Sequence, residues 1–134
     1  MELKNLITND RVIKVEHPLY DGLVVELAYV SREKIKKFLD RSTVAAFDRK
    51  TRKQEEEVDN DLFLSMYVPA LLKNWTGFKY EYLKELIPVD LTGVEGEELE
   101  YSENNALELM KNSTEFDDWV SSIVKDIKNF NKSS

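Results

Sequence analysis

The chain has 134 residues, 42% of them hydrophobic and 34% charged, with a formal net charge of −7, one histidine and no cysteine. Its length and apolar content suit a single α+β domain with its own core, while the negative balance argues against nucleic-acid or anionic-membrane partners, because phosphate binding draws on a surplus of Lys and Arg. Without cysteine there is no disulfide framework, no thiolate metal site and no thiol nucleophile.

The first ten residues, Met1 to Asp10, turn polar almost at once, unlike a secretory leader. No apolar run approaches the roughly 20 residues that a membrane helix requires. A soluble, cytoplasmic protein is therefore expected. Val12, Ile13 and Val15 are β-branched and predict a strand, closed by His17-Pro18 because proline lacks the ladder donor. Asp21-Gly22 supplies a turn signal, and Leu23, Val25, Leu27 and Tyr29 then fall on one face of a second strand, completing a hairpin. Ser31 is a suitable N-cap for an amphipathic helix with Ile35, Phe38 and Leu39 on its apolar stripe. This helix is expected to fold back over the hairpin, so residues 1–47 read as hairpin plus packed helix.

Residues 48–61 form a charge block, basic first (Arg49, Lys50, Arg52, Lys53) and acidic second (Glu55, Glu56, Glu57, Asp59, Asp61). Clustered like charges of this kind predict a solvated linker. A phosphate-binding use of the basic half is weakened by the acidic half beside it. From Leu62 the spacing turns helical: Phe63, Tyr67, Leu71 and Trp75 recur every four residues, with Leu62 and Met66 alongside. Pro69 falls within this pattern, so a kinked helix and a helix beginning near Val68 both fit, with Gly77 as the stop. Tyr80, Tyr82, Leu83, Leu86 and Ile87 predict a further helical turn ended by Pro88. The glycine-punctuated acidic stretch near 88–100 is expected to be a mobile loop. Ser102 then caps a helix carrying Ala106, Leu107 and Met110. Thr114 with Asp117 looks like a capping box for a last helix, on which Phe116, Val120, Ile123, Ile127 and Phe130 form the stripe and Trp119 and Val124 lie beside it. Residues 62–130 are thus mainly helical, and Asn131 to Ser134 make a frayed tail.

Little in this pattern supports chemistry. His17 is the only side chain that titrates near neutrality at its ordinary pKa, and its place beside Pro18 at a turn suggests a surface role. Carboxylates are plentiful, yet neither Glu55 to Asp61 nor Asp90 to Glu100 has the alternating oxygen ligands and central glycine of a calcium loop. Gly93 and Gly96 make a turn, not a nucleotide cradle. No catalytic, cofactor-binding or metal-binding residue is expected. Trp75 reads as core because it completes a stripe, whereas Tyr80 and Tyr82 read equally as core or surface.

Asn74-Trp-Thr-Gly77, a variable loop, Leu99-Glu-Tyr-Ser-Glu-Asn-Asn-Ala-Leu-Glu-Leu-Met110 and Phe116-Asp-Asp-Trp-Val120 through Asn129-Phe130 together resemble the tail assembly chaperones of long-tailed phages and prophages. The resemblance covers roughly the last half of the chain, and Lys79 to Val94 is longer than that family's pattern. It implies a non-enzymatic protein that coats the tape measure protein, keeps it soluble, helps bring tail tube subunits to it and leaves before the virion is complete. The isolated protein is expected to be a monomer or to form higher assemblies such as rings or open spirals, since a tape measure offers many equivalent sites. Phe63, Tyr67, Phe116 and Val120 are the candidate protein-binding residues, through helix-in-groove contact. The rival readings are a head-tail or tail adaptor retained in the virion, and a small metal-dependent hydrolase built on Asp or Glu.

Overall fold

The computed structural model describes residues 1–7, 11–48, 53–94, 98–126 and 128–131, with side chains left aside at 45–48 and 53–55. After a short 3-10 helix, Leu3–Asn5, the order is β1 (Val12–Glu16), β2 (Val24–Ala28), α1 (Arg32–Ser42), β3 (Thr43–Asp48), β4 (Lys53–Val58), α2 (Asn60–Leu71), β5 (Leu72–Thr76), α3 (Tyr80–Leu86), α4 (Glu103–Asn112), α5 (Thr114–Lys125) and α6 (Lys128–Asn131). The class is α+β, with strands leading and helices predominating later.

The main sheet is antiparallel with order β1-β2-β5. β2 is central, and its Val25 and Leu27, like Leu23 just before it, are wholly buried. Tyr29 does not continue this face. The strand ends at Ala28 and Tyr29 is 38% exposed. In β5 the alternation is corrected by a bulge: Glu26 pairs with Asn74 but Leu27 pairs with Leu72, which leaves Lys73 as the extra residue. Without it, a core-facing Trp75 would put Lys73 inward. With it, Leu72 and Trp75 are both buried and Lys73 is exposed.

Trp75 therefore belongs to the core, but on a strand and not on the expected helix. α2 begins at Asn60, capped by the Asp59 carboxylate, and carries Pro69 in its last turn. One turn after the start, proline would break the ladder; near the end, it removes a single bond and the helix stops two residues later. Four-residue steps continue into β5 by coincidence, since pairing with β2 decides the conformation there. Gly77 follows with φ +71, and a Cβ on it would lie 2.0 Å from the Gly22 carbonyl oxygen. It ends a strand, not a helix, and only glycine lets that turn pass the β1–β2 turn.

The stretch expected as a linker is largely structured. β3 and β4 form a separate two-stranded hairpin with Thr43 opposite Val58 and Asp48 opposite Lys53. Arg49, Lys50 and Arg52 lie outside the described residues. α1 runs straight into this hairpin and α2 runs straight out of it, and α1 packs chiefly on α2, not over the β1–β2 hairpin. Its Phe38 and Ser42 are buried, and the Ser42 hydroxyl donates to the Phe38 carbonyl at 2.8 Å. The Ser31 cap forms as expected, accepting from the Lys34 amide.

α4 is capped by Ser102, and α5 by Ser113, one residue ahead of the expected Thr114. The late segment of the loop expected to be mobile is tied to the core: the Leu99 amide donates to the Phe78 carbonyl at 2.7 Å, the Trp75 indole donates to the Leu99 carbonyl at 2.9 Å, and Lys79 bridges Glu98. Residues 95–97 of that stretch lie outside the described residues. So do Ile127 and the tail 132–134. Phe130 on α6 is buried, and its carbonyl accepts from the Arg11 guanidinium.

Candidate functional site

The four residues singled out as protein-binding divide into two pairs. Phe116 and Val120 on α5 are 0% exposed, which removes them from any surface. Their helix has one apolar stripe, and it faces the molecule's own sheet and α4. A sequence stripe marks which residues leave water, but not whether the covering surface is internal. Phe63 and Tyr67 on α2 are half-buried, one turn apart, with ring centroids at 5.4 Å and planes nearly parallel. Burial pushes the Tyr67 hydroxyl above its ordinary pKa, with the Asp117 carboxylate adding to the rise. Burial likewise raises the Asp117 carboxyl, with Asp118 next to it as the second cause. Close by, the Lys111 ammonium lies 3.3 Å from the Asp61 carboxylate and ties α4 to the start of α2.

Exposed apolar side chains occur in the N-terminal segment (Met1, Leu3, Leu6, Ile7), at Val12 and Leu19, and around the α1–hairpin–α2 junction. Leu39, Val44, Val58 and Leu62 are 38 to 43% exposed. Val44 shares a face of the hairpin with Glu57, and Val58 shares the opposite face with Thr43. Along α1, Ile35 and Leu39 stand one turn apart beside a recess of about 540 Å³ whose other walls are Arg32, Glu33 and Lys36. Sequence periodicity placed Leu39 in the core stripe. The inward stripe is Ile35, Phe38 and Ser42, and a serine at the third position concealed it.

His17 is the largest departure from expectation in the first half. It is 4% exposed, not a surface residue, with its ring 4.2 Å from that of Trp119 and 4.5 Å from that of Tyr20. Its Nδ1 accepts from the Leu19 amide at 3.1 Å, so the proton of the neutral ring sits on Nε2, which has no partner among the described residues. Burial lowers its pKa, opposed in smaller measure by Glu115. This ring holds the β1–β2 turn against α5. Tyr20 extends the cluster to Tyr82, whose hydroxyl donates to the Asp21 carbonyl at 2.6 Å.

Among the described residues, no group of three or more His, Cys, Asp or Glu is placed to hold a metal ion, and no helix is long and apolar enough to cross a membrane. What the molecule presents is apolar side chains on an acidic exterior. No curated protein and no solved structure matches the chain. The family model described as YdaY prophage protein matches residues 30–134, from just before the α1 cap to the C-terminus. A match over that much of the sequence places this chain in the YdaY prophage protein family.

Proposed function

We propose that this prophage protein is a non-enzymatic tail assembly chaperone, which binds the phage tape measure protein, keeps it soluble and helps recruit tail tube subunits during tail morphogenesis. It acts in the cytoplasm of the infected or lysogenic host and leaves before the virion is mature. The observation that carries the reading is the uncovered apolar rim of the α1–hairpin–α2 junction in a chain of net charge −7. Leu39 and Leu62 offer anchors for an apolar helix stripe on the partner, flanked by the basic side chains Arg32 and Lys36 on α1 and by Asp59 and Asp61 at the start of α2, and these charges keep the complex soluble. Membership of a prophage family and the C-terminal resemblance to tail chaperones favour the same reading.

Co-expression with the tape measure protein encoded by the same prophage tests it. The chaperone should raise the soluble fraction of its partner and co-purify with it, and Leu39→Glu with Leu62→Glu should weaken capture about tenfold or more while the fold persists. Absence of capture would remove the reading. Recovery of the protein in purified virions would instead identify a retained structural component.

A further inference from the structure

The two outer edges of the main sheet are treated differently, and the β1 edge is built for pairing. The backbone of His17 donates to the Leu23 carbonyl at 2.8 Å. In an antiparallel ladder, alternate residues turn their amide and carbonyl toward the same neighbour. Ile13 and Val15 therefore bond to β2, and Val12, Lys14 and Glu16 direct theirs outward. Among the described residues no backbone hydrogen bond from another element meets those three. Strand edges are commonly blunted by shortness, charged side chains, a proline, a bulge or an inward-pointing charge. Within Val12–Glu16 there is no proline, bulge or inward charge, and pairing with β2 is regular over all five residues; the charges on its solvent face, Lys14 and Glu16, disfavour pairing except where opposite charges meet.

Beneath this edge runs a groove of about 690 Å³ lined by Arg11, the strand residues 12–15, Ile123, Asn129 and Phe130. Because both faces of β1 contribute, the groove opens along the strand's outer side. Ile13 and Val15, half-buried, form its apolar wall.

We propose that this edge pairs with β1 of a second copy of the chain, in antiparallel register about a two-fold axis at Val15. The charges select that register. Outward-directed residues must face outward-directed residues, so registers that pair at least two of Val12, Lys14 and Glu16 have their axis at Ile13, Lys14 or Val15, and an axis at Ile13 sets Lys14 opposite Val12 with no charge partner. An axis at Lys14 would set Lys14 against Lys14. An axis at Val15 sets Lys14 opposite Glu16 twice, leaves Val12 beyond the ladder opposite Pro18, brings the two Val15 side chains together over the merged grooves, and joins two three-stranded sheets into one of six. The contact is locally neutral, so the chain's negative charge does not oppose it there. The inference is independent of the tape measure reading.

Analytical ultracentrifugation of the full chain, with circular dichroism on every variant, tests it. Wild type should dimerise. Lys14→Glu and Glu16→Lys should each weaken the dimer about tenfold, because two attractive pairs become repulsive. The double swap should restore it. Lys14→Pro removes one outward donor and spares the bonds to β2, so it should give a folded monomer. A wild-type monomer at the highest soluble concentration would overturn the proposal, as would single variants or a folded Lys14→Pro that dimerise like wild type. A folded double swap that stays monomeric, or a Met1–Ile7 peptide occupying the edge in place of a second copy, would overturn it equally.

Discussion

The β5 edge and the β1 edge belong to the same sheet and share β2 as neighbour, yet residues 98–101 are tied by hydrogen bonds alongside the first, across a recess of about 350 Å³, while the second borders a larger groove. On the β5 side, a bulge at Lys73, the Tyr101 hydroxyl on the Leu72 carbonyl at 2.6 Å, and Trp75 bonded to Leu99 cover the strand. On the β1 side, a regular strand borders a groove. The lesson is that a late loop, drawn from far along the chain, supplies the edge protection that local sequence in β5 does not. At β1 the late segment is α6, tied to Arg11 through the Phe130 carbonyl, and among the described residues no backbone hydrogen bond from it reaches the strand.

The closed side is the easier one to break. Gly77 ends β5 where its backbone passes Gly22, and an added Cβ would fall 2.0 Å from a carbonyl oxygen at a positive φ. Gly77→Ala should cost about 3 kcal/mol or more, because both the backbone conformation and the contact must yield. A large drop in the urea midpoint checks this, and Gly22→Ala, with nothing within 4 Å, should be milder. Tyr101→Phe removes one hydroxyl and leaves the Leu72 carbonyl unpaired, for about 1 to 2 kcal/mol. The same variant should speed exchange of the Leu99 amide, which sharpens the claim that residues 98–101 seal this edge.

The turn at the end of β1 gives a smaller, pH-dependent effect. The folded-state pKa of His17 is lowered by burial, with Glu115 opposing. The unfolded chain therefore takes up a proton first as pH falls. The contribution of neutral His17 is complete above the unfolded value of about 6.5 and declines as pH drops through the folded value. His17→Phe should flatten the fall in stability between neutral and mildly acidic pH, read from urea melts across that range. It removes the unpartnered Nε2 donor but also the acceptor of the Leu19 amide, so about 1 kcal/mol should be lost at neutral pH.

Caps and short-range patterns were legible in the sequence: Ser31 and Ser102 cap α1 and α4, and Leu23, Val25 and Leu27 mark the inward face of β2. The β3–β4 hairpin was not, because β4 reads Lys-Gln-Glu-Glu-Glu-Val and shows no apolar alternation to betray a strand. The core position of Trp75 is legible from its spacing, but its strand conformation is not, since steps of four fit a helix until pairing with β2 decides. The candidate site suffered from the same ambiguity. Phe116 and Val120 form a true amphipathic stripe, but the surface it covers is the protein's own. The burial of His17 is not legible locally, because Trp119, which packs on it, is distant in sequence.

Amide hydrogen exchange at several protein concentrations tests the contrast between the edges most directly. The Leu99 amide, inside the closed edge, should be protected equally at all concentrations, while the amides of Lys14 and Glu16 should exchange quickly in dilute solution and slow as concentration rises. Lys14 and Glu16 amides that are as protected as Leu99 in dilute solution, or whose exchange never changes with concentration, would contradict the account.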